Sequence, residues 1–346
     1  MKHQTTRYGE IPFYKIGTFG NTADAFISKK LFLEYKTKYS FPKKGDILIS
    51  ASGTIGRTVI YDGKPAYFQD SNIVWIDNDE TLVKNDFLFY AYSNVKWNTE
   101  HTTILRLYND NFRNTLIPLP PLNEQIAIAN ILSALDRYLC ALDALILRKE
   151  GVKKALSFEL LSQRKRLKGF NQNWQRVRLG DIANYLTSNL SVEQITQQGE
   201  IKVYDVNNFI GYTDTTFISD KPYISIVKDG SVGRVRILPP KTNILSTMGA
   251  LIANHRTTTE FLFYLLSNFD FKNFTSGSII PHIYFKDYKE KTIFLPPLNE
   301  QIAIANILSA LDNEIASLKN KKRQFENIKK TLNHDLMSAK IRVLKK

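Results

Sequence analysis

Cysteine is almost absent from this sequence: 346 residues contain one, Cys140. That excludes an internal disulfide framework and any zinc site built on cysteines. Long apolar runs are missing as well. Stretches such as 126–129 fall far short of the roughly 20 residues that span a bilayer. The opening residues, MKHQTTRYGEIPF, lack the apolar core of a secretory signal. Phosphate-binding loops are absent, since neither G-x-x-x-x-G-K-[ST] nor G-x-G-x-x-G occurs. The histidines, His3, His101, His255, His282 and His334, show no metal-ligand spacing. Acidic residues are in deficit, with 33 Asp+Glu against 47 Lys+Arg and a net charge of +14. What is present is core-forming material: 43% hydrophobic and 12% aromatic residues exclude global disorder. The expectation is a soluble intracellular protein of two or three domains with a polyanionic partner.

An internal repeat organises the chain. Residues 119–136 read LPPLNEQIAIANILSALD, and so do residues 295–312. Weaker matches extend both ways. Phe87-Leu88-Phe89-Tyr90 mirrors Phe261-Leu262-Phe263-Tyr264, and Val152-Lys153-Lys154 mirrors Ile328-Lys329-Lys330. Ser52-Gly53-Thr54-Ile55-Gly56-Arg57 mirrors Asp229-Gly230-Ser231-Val232-Gly233-Arg234. The chain is two copies of one unit, each a globular part followed by a long helix.

Both helices are legible. Pro120-Pro121 and Pro296-Pro297 fix φ where a helix starts. Glu124 and Glu300 sit in the first turn, favourable to the helix dipole. Apolar residues follow at a 4-3 spacing: Ile128, Leu132, Leu135, Leu139, Leu142 and Ile146 in the first copy. The second copy continues from Ile304 through Ile315 and Leu318 to Phe325, Ile328, Leu332 and Leu336. That narrow seam is a coiled-coil pattern that needs a partner helix. The other copy supplies it, and the intervening globular part favours an antiparallel pairing. A first helix running from Leu122 to Leu167 would span roughly 69 Å. Cys140, next to seam Leu139, is expected as a small filler beside the coil.

The predicted fold class is α+β: two similar mixed α/β domains and two long helices paired as an antiparallel coiled coil with a pseudo-two-fold repeat. The expected boundaries are a first recognition domain at 1–118, a central helix at 119–168, a second domain at 169–294 and a C-terminal helix at 295–346. Strands are expected at 46–50, 58–61, 73–76, 223–227 and 235–238, and short helices at 87–93 and 260–267. Two diverged globular readers on a shared scaffold suit recognition of two short DNA sites separated by an unread gap.

The Ser-Gly-Thr-Ile-Gly-Arg turn allows close backbone approach and ends on Arg57, matched by Arg234. Its residues Ser52, Gly53, Thr54 and Arg57, with Lys228, Ser231 and Arg234 in the second copy, are candidate DNA contacts. A tight turn with positive-φ glycines is the alternative reading. The loop from Arg106 through Asn109 to Arg113 faces a second-copy loop with Ser276, Ser278 and His282. These loops differ between copies, as read-out loops should, although plain loop drift gives the same difference. Lys43, Lys44 and Arg256 are phosphate contacts or solvated surface. Asn123-Glu124-Gln125 and Asn299-Glu300-Gln301 read either as capping and packing against the adjacent domain or as docking sites for two copies of one partner. Asp287-Tyr288-Lys289 reads as a surface turn or as a fragment of a nuclease D-x-K. Its counterpart, Asn111-Phe112-Arg113, cannot bind a metal in the same way.

Lys44-Gly45-Asp46-Ile47-Leu48-Ile49-Ser50 leading into the Ser52–Arg57 turn, the Leu-Pro-Pro-Leu-Asn-Glu-Gln helix starts, and Trp174 with Val177-Arg178-Leu179-Gly180-Asp181-Ile182 together resemble the specificity subunit of type I restriction-modification systems. The resemblance covers nearly the whole chain. It implies two target recognition domains that read a bipartite double-stranded DNA sequence. It also implies docking of two methyltransferase subunits, with motor-nuclease subunits joining for restriction, in a prokaryotic cytoplasm. S-adenosylmethionine, ATP and Mg would then belong to the partner subunits, and this chain would be non-catalytic and hold no cofactor. A degenerate or recombined chain acting only as a coiled-coil scaffold is the alternative. One departure stands out. The first unit opens at Tyr8-Gly9-Glu10-Ile11, the counterpart of Gln198-Gly199-Glu200-Ile201, with nothing matching 174–197. The first recognition domain is therefore expected to be shortened and to lack an edge element. Finally, the segments 119–168 and 295–346 carry +9 of the +14, so the globular readers are nearly balanced in charge.

Overall fold

A computed structural model describes residues 4–68, 72–97, 106–277 and 279–344. The chain divides into two compact units, 1–143 with 320–346, and 144–319. The division falls inside the two long helices, so each helix contributes to both units rather than forming a segment of its own.

Unit 1 begins with β1 (Ile11–Tyr14), β2 (Ala25–Ile27) and α1 (Lys29–Lys38). It continues with β3 (Ile47–Ser50), β4 (Thr58–Ile60), β5 (Tyr67–Phe68) and β6 (Ile73–Trp75). The short helices α2 (Asn85–Tyr92) and α3 (Asn109–Arg113) precede the long α4 (Leu122–Leu161). One sheet runs β2-β1-β5, with β5 parallel to β1, and a second runs β4-β3-β6. β3 is buried throughout, which explains its unbroken Ile-Leu-Ile run.

Unit 2 repeats this plan with additions. It holds β7 (Gln175–Arg178), β8 (Ala183–Thr187), β9 (Ile201–Tyr204), β10 (Phe209–Thr213) and β11 (Tyr223–Val227). Then come β12 (Val235–Leu238), β13 (Thr242–Ile244), β14 (Met248–Ala253) and α5 (Thr259–Ser267). β15 (Thr275–Ser276), β16 (His282–Ile283), α6 (Phe285–Tyr288) and β17 (Thr292–Leu295) lead into the long α7 (Leu298–Met337). The sheet β10-β9-β13 matches β2-β1-β5, again with one parallel pair. The sheet β12-β11-β14-β8 matches β4-β3-β6 plus one further strand, and β17 pairs with β7. Among the described residues the sheet of unit 1 ends at β6.

Within each unit the two long helices pair antiparallel. In unit 2, Lys149 meets Glu314 and Lys153 meets Asp312. In unit 1, Lys329 meets Asp136 and Lys322 meets Asp143. The seam residues Ile128, Leu132, Ile304 and Leu308 are each at most 2% exposed. Ile328 departs from the expectation, because it lies half in solvent. The inward place beside it goes to Lys329, whose ammonium pairs with Asp136 while that carboxylate accepts the Tyr90 hydroxyl proton. Lys153, Asp312 and Tyr264 repeat the arrangement in unit 2. Burial and the adjacent carboxylate push both tyrosine pKa values up. Cys140 is exposed, not a filler. The first helix ends at Leu161 rather than Leu167, because Gln163 takes a left-handed φ of 62°. At 40 residues it is about 60 Å long. No described helix is long and apolar enough to cross a membrane.

The head of each long helix is locked to the sheet domain beside it. Gln301 Nε2 donates to the Arg256 and Pro296 carbonyls, and its Oε1 accepts from the Thr257 hydroxyl and the Thr258 N–H. Thr258 is the N-cap of α5. Gln125 does the same at α2, with Leu82, Pro120 and the Lys84 N–H as partners. Replacing Gln301 with alanine leaves the Thr258 N–H, the Thr257 hydroxyl and two carbonyls without their amide partner. The expected cost is about 2–4 kcal/mol, read as a lower urea midpoint with an unchanged m-value.

Candidate nucleic-acid interface

The turn and the loop, distant in sequence, converge in both units. In unit 1 the turn after β3 is closed by Gly56 N–H to Ser50 O and Ser50 N–H donating to Arg57 O. Its backbone then pairs with the loop before α3: Leu107 N–H donates to Ala51 O, and Ser52 bridges Arg106. In unit 2 Gly233 N–H closes the turn on Val227 O. There Gly230 N–H donates to Pro281 O, Ile283 N–H to Lys228 O, and Asp229 bridges His282. One backbone frame therefore carries Ser52 with Arg106 in unit 1 and Asp229 with His282 in unit 2. The second pair is also joined by side chains, with His282 Nδ1 2.6 Å from Asp229 Oδ1.

Two glycines of the turn are required by packing. Gly56 has φ +82°, and a Cβ there would lie 2.5 Å from the Trp97 ring. Gly233 has φ +80°, and its Cβ would lie 2.6 Å from the Phe271 ring. Each turn thus rests on an aromatic ring. The positive-φ tight-turn reading holds for all four turn glycines, of which Gly53 and Gly230 are exposed at the tip.

The matched arginines both brace a neighbouring hairpin. Arg57 donates to the Phe19 carbonyl in the β1–β2 connection at 2.9 Å. Arg234 donates to Asn207 Oδ1 in the β9–β10 connection at 3.0 Å and stays exposed. Sequence reasoning missed Arg236 on β12, two residues after Arg234. It stacks over Tyr204 at 5.2 Å and donates to the Asn207 and Asp205 carbonyls. The Arg-x-Arg alternation leading into β12 was the available signal.

The other candidates scatter around these frames. Ser52 is buried, while Thr54, Ser231 and Ser276 are exposed and Lys228 is half-buried. Asn109 and Arg113 lie on exposed turns of α3, Arg113 near Asp110 at 3.6 Å. Lys43 is exposed but hydrogen-bonded to Asp77, which raises its pKa, and Lys44 is exposed. Arg256 sits away from the frame and donates to Gln175 Oε1 beside β7. Ser278 lies outside the described residues. Among the described residues no group of His, Cys, Asp or Glu is placed to hold a metal ion.

The docking candidates need correction. Glu124, Gln125, Glu300 and Gln301 are all at most 4% exposed. Arg342 pairs with both carboxylate oxygens of Glu124 and lowers its pKa; Arg166 pairs with both carboxylate oxygens of Glu300, which also accepts the Trp174 indole N–H. Spent on internal bonds, these four side chains are out of a partner's reach. Only Asn123 and Asn299 of the six are exposed.

Comparison with known proteins gives one consistent result. The family model described as the type I restriction modification DNA specificity domain matches residues 1–149 and 171–327. A putative type I restriction enzyme specificity subunit from Haemophilus influenzae is 64% identical over 137 residues, 39% of this chain and 36% of that protein. The chain therefore spans about a third of that relative. The putative MjaX specificity subunit of Methanocaldococcus jannaschii is 28% identical over 86% of this chain and 79% of its own. The crystal structure of an S subunit from M. genitalium superposes with a TM-score of 0.64 at 20% identity, covering 97% of this chain and 91% of its own. It shares the fold.

The turn geometry makes a differential prediction. Gly56→Ala and Gly233→Ala, strained in φ and blocked by a ring, should each cost about 1–3 kcal/mol. Gly230→Ala, at φ +81° with open space around it, should lose only the smaller backbone term. Melting temperatures of the three variants check the ranking.

Proposed function

The chain belongs to the type I restriction-modification DNA specificity family, and from that premise we propose that its two units read the two halves of a bipartite double-stranded DNA target through the paired turn and loop. The observation that carries this reading is the shared frame with exchanged chemistry. An arginine at position 106 is suited to guanine edges or phosphate. The aspartate and histidine of the other unit suit different base edges. Identical backbone bonds with different side chains are what two related readers of different sequences require.

The chain acts as the non-catalytic partner. Methyltransferase subunits, carrying S-adenosylmethionine, dock on it, and motor-nuclease subunits with ATP and Mg complete the restriction complex. The docking surface suits the exposed part of the repeated helix start. Leu122, Asn123, Ile126 and Asn130 are identical to Leu298, Asn299, Ile302 and Asn306, and all eight are exposed. They recur at a spacing that puts them on one helix face. Ile126 and Ile302 are nearly half exposed, a costly placement for apolar groups that nothing within the chain requires. Two equal sites bind two copies of one subunit.

Methylation mapping in cells holding this chain and its methyltransferase tests the reading. Arg106→Ala should change one half of the methylated motif, and His282→Ala the other; no methylation attributable to the wild-type chain would overturn it. DNA binding by the assembled complex should fall steeply with salt through counterion release. Ile126→Asp with Ile302→Asp should abolish co-purification of the methyltransferase while changing the unfolding free energy by no more than about 1 kcal/mol, read by urea denaturation.

A further inference from the structure

His282 stands on the outer face of a short hairpin. β15 and β16 pair antiparallel, with Thr275 opposite Ile283 and Ser276 opposite His282. Successive side chains of a strand point to opposite faces. Ile283 is 1% exposed in the core, so His282 is turned away from it, and its side chain keeps 36% of its surface open. The turn holds the hairpin by its backbone, because Gly230 N–H donates to Pro281 O and Ile283 N–H to Lys228 O. The place of the imidazole is therefore set by the main chain on both sides.

Its proton is placed by Asp229. His282 Nδ1 lies 2.6 Å from Asp229 Oδ1. An ionised carboxylate only accepts, so the hydrogen of this bond belongs to Nδ1. A neutral imidazole carries a single N–H, which leaves Nε2 as a bare acceptor. Among the described residues nothing else hydrogen-bonds the ring. Glycine at 277 leaves the ring edge beside Nε2 uncovered, since a Cβ there would lie 3.1 Å from His282 Cδ2, the carbon bonded to Nε2.

The same frame in unit 1 has the opposite polarity. Arg106 stands opposite Ser52 where His282 stands opposite Asp229. A guanidinium only donates, which suits guanine O6 and N7. An outward-facing lone pair needs a donor instead. In the major groove that donor is the exocyclic amino group of adenine or cytosine, whereas guanine O6 and thymine O4 accept.

We infer that Asp229 is a positioning residue that holds His282 in the Nδ1–H form, so that Nε2 selects adenine or cytosine at one position of the second half-site by accepting from the exocyclic amino group. Guanine or thymine there would set one lone pair against another. The inference deepens the DNA-reading function proposed above and rests on it.

Two measurements test it. The first needs no DNA: nitrogen NMR of the full chain carrying ¹⁵N-labelled histidine, with the His282 signals assigned by their loss in His282→Ala. At neutral pH the wild-type ring should show a protonated Nδ1 and an unprotonated Nε2. Asp229→Asn, whose amide can donate or accept, should mix the two tautomers. A wild-type proton on Nε2, or on both nitrogens, overturns the inference. The second is selection of duplexes randomised over the second half-site by the chain assembled with its methyltransferase. The wild type should prefer adenine or cytosine by about tenfold at one position. His282→Ala should lose that preference and no other, and Asp229→Asn should bring it close to unity. Guanine or thymine at the position that His282→Ala relaxes overturns the inference, as does an unchanged preference in Asp229→Asn, while either result leaves the DNA-reading function standing. A half-site preference that neither variant alters would overturn reading through this frame as well. The wild-type spectrum and the wild-type base choice decide the matter even if Asp229→Asn fails to fold.

Discussion

A buried side-chain amide at the head of each long helix fixes the geometry on which both units depend. Gln125 and Gln301 are about 1% exposed or less, so every polar atom they carry must be paired. Each reaches out of its own helix to the start of another, supplying the acceptor that the N-cap of α2 or α5 needs. At α2 the N-cap Lys84 offers no side-chain acceptor, and the Asn85 N–H donates to Glu80 Oε1 instead. At α5 Thr258 supplies a hydroxyl to Phe261 as well. The amide thus welds a recognition domain to a scaffold helix by bonds with fixed directions. An apolar contact would tolerate sliding; this one does not.

The exact repeat of 18 residues follows largely from such internal demands. Glutamate, glutamine, Ile128, Ala129, Leu132 and Asp136, with their second-unit equals, are all used inside their units. The glutamates show how close the two copies stay despite a difference in cover. Glu300 is clamped by Arg166 and capped by the Trp174 indole, while Glu124 has its arginine and the Val343 backbone but no indole. Among the identical exposed residues, Asn123 and Asn299 accept the Glu124 and Glu300 N–H, whereas the apolar Ile126 and Ile302 stand nearly half exposed, which is why the isoleucines bear on a partner.

Periodicity and composition revealed what is local. The starts of the long helices, the apolar strands β3 and β11, and the helices α2 and α5 all stand within a few residues of the sequence reading, while α7 ends at Met337 rather than at 346. The hairpins β1–β2 and β9–β10 escaped it, because their short alternating runs carry little apolar signal. The helix end at Gln163 escaped it as well, since no glycine or proline marks the left-handed residue. Ile328 was assigned to the seam by spacing alone, and a lysine–aspartate–tyrosine set overrode that spacing. The turn and the loop were each visible as candidates. Their meeting was not, because Gly230 and Pro281 are joined only by tertiary structure.

The placement of charge argues for how affinity and read-out divide. Most of the net charge lies in the helical segments, but many of those lysines are already matched. Lys149, Lys153 and Lys319 face acidic residues in unit 2, and Lys322 and Lys329 do so in unit 1. Such pairs set helix register more than they add stability, and they leave less charge for phosphates than the total implies. The reading frames are themselves nearly neutral, and in unit 2 the basic side chains Arg234 and Arg236 brace a hairpin. Non-specific attraction to DNA scales with phosphates neutralised, so under the proposed function an isolated chain of this design is expected to bind weakly, with docked subunits adding cations and this chain the sequence preference. A nearly neutral reader suits that division, because it discriminates between sequences without being held strongly on every one it meets.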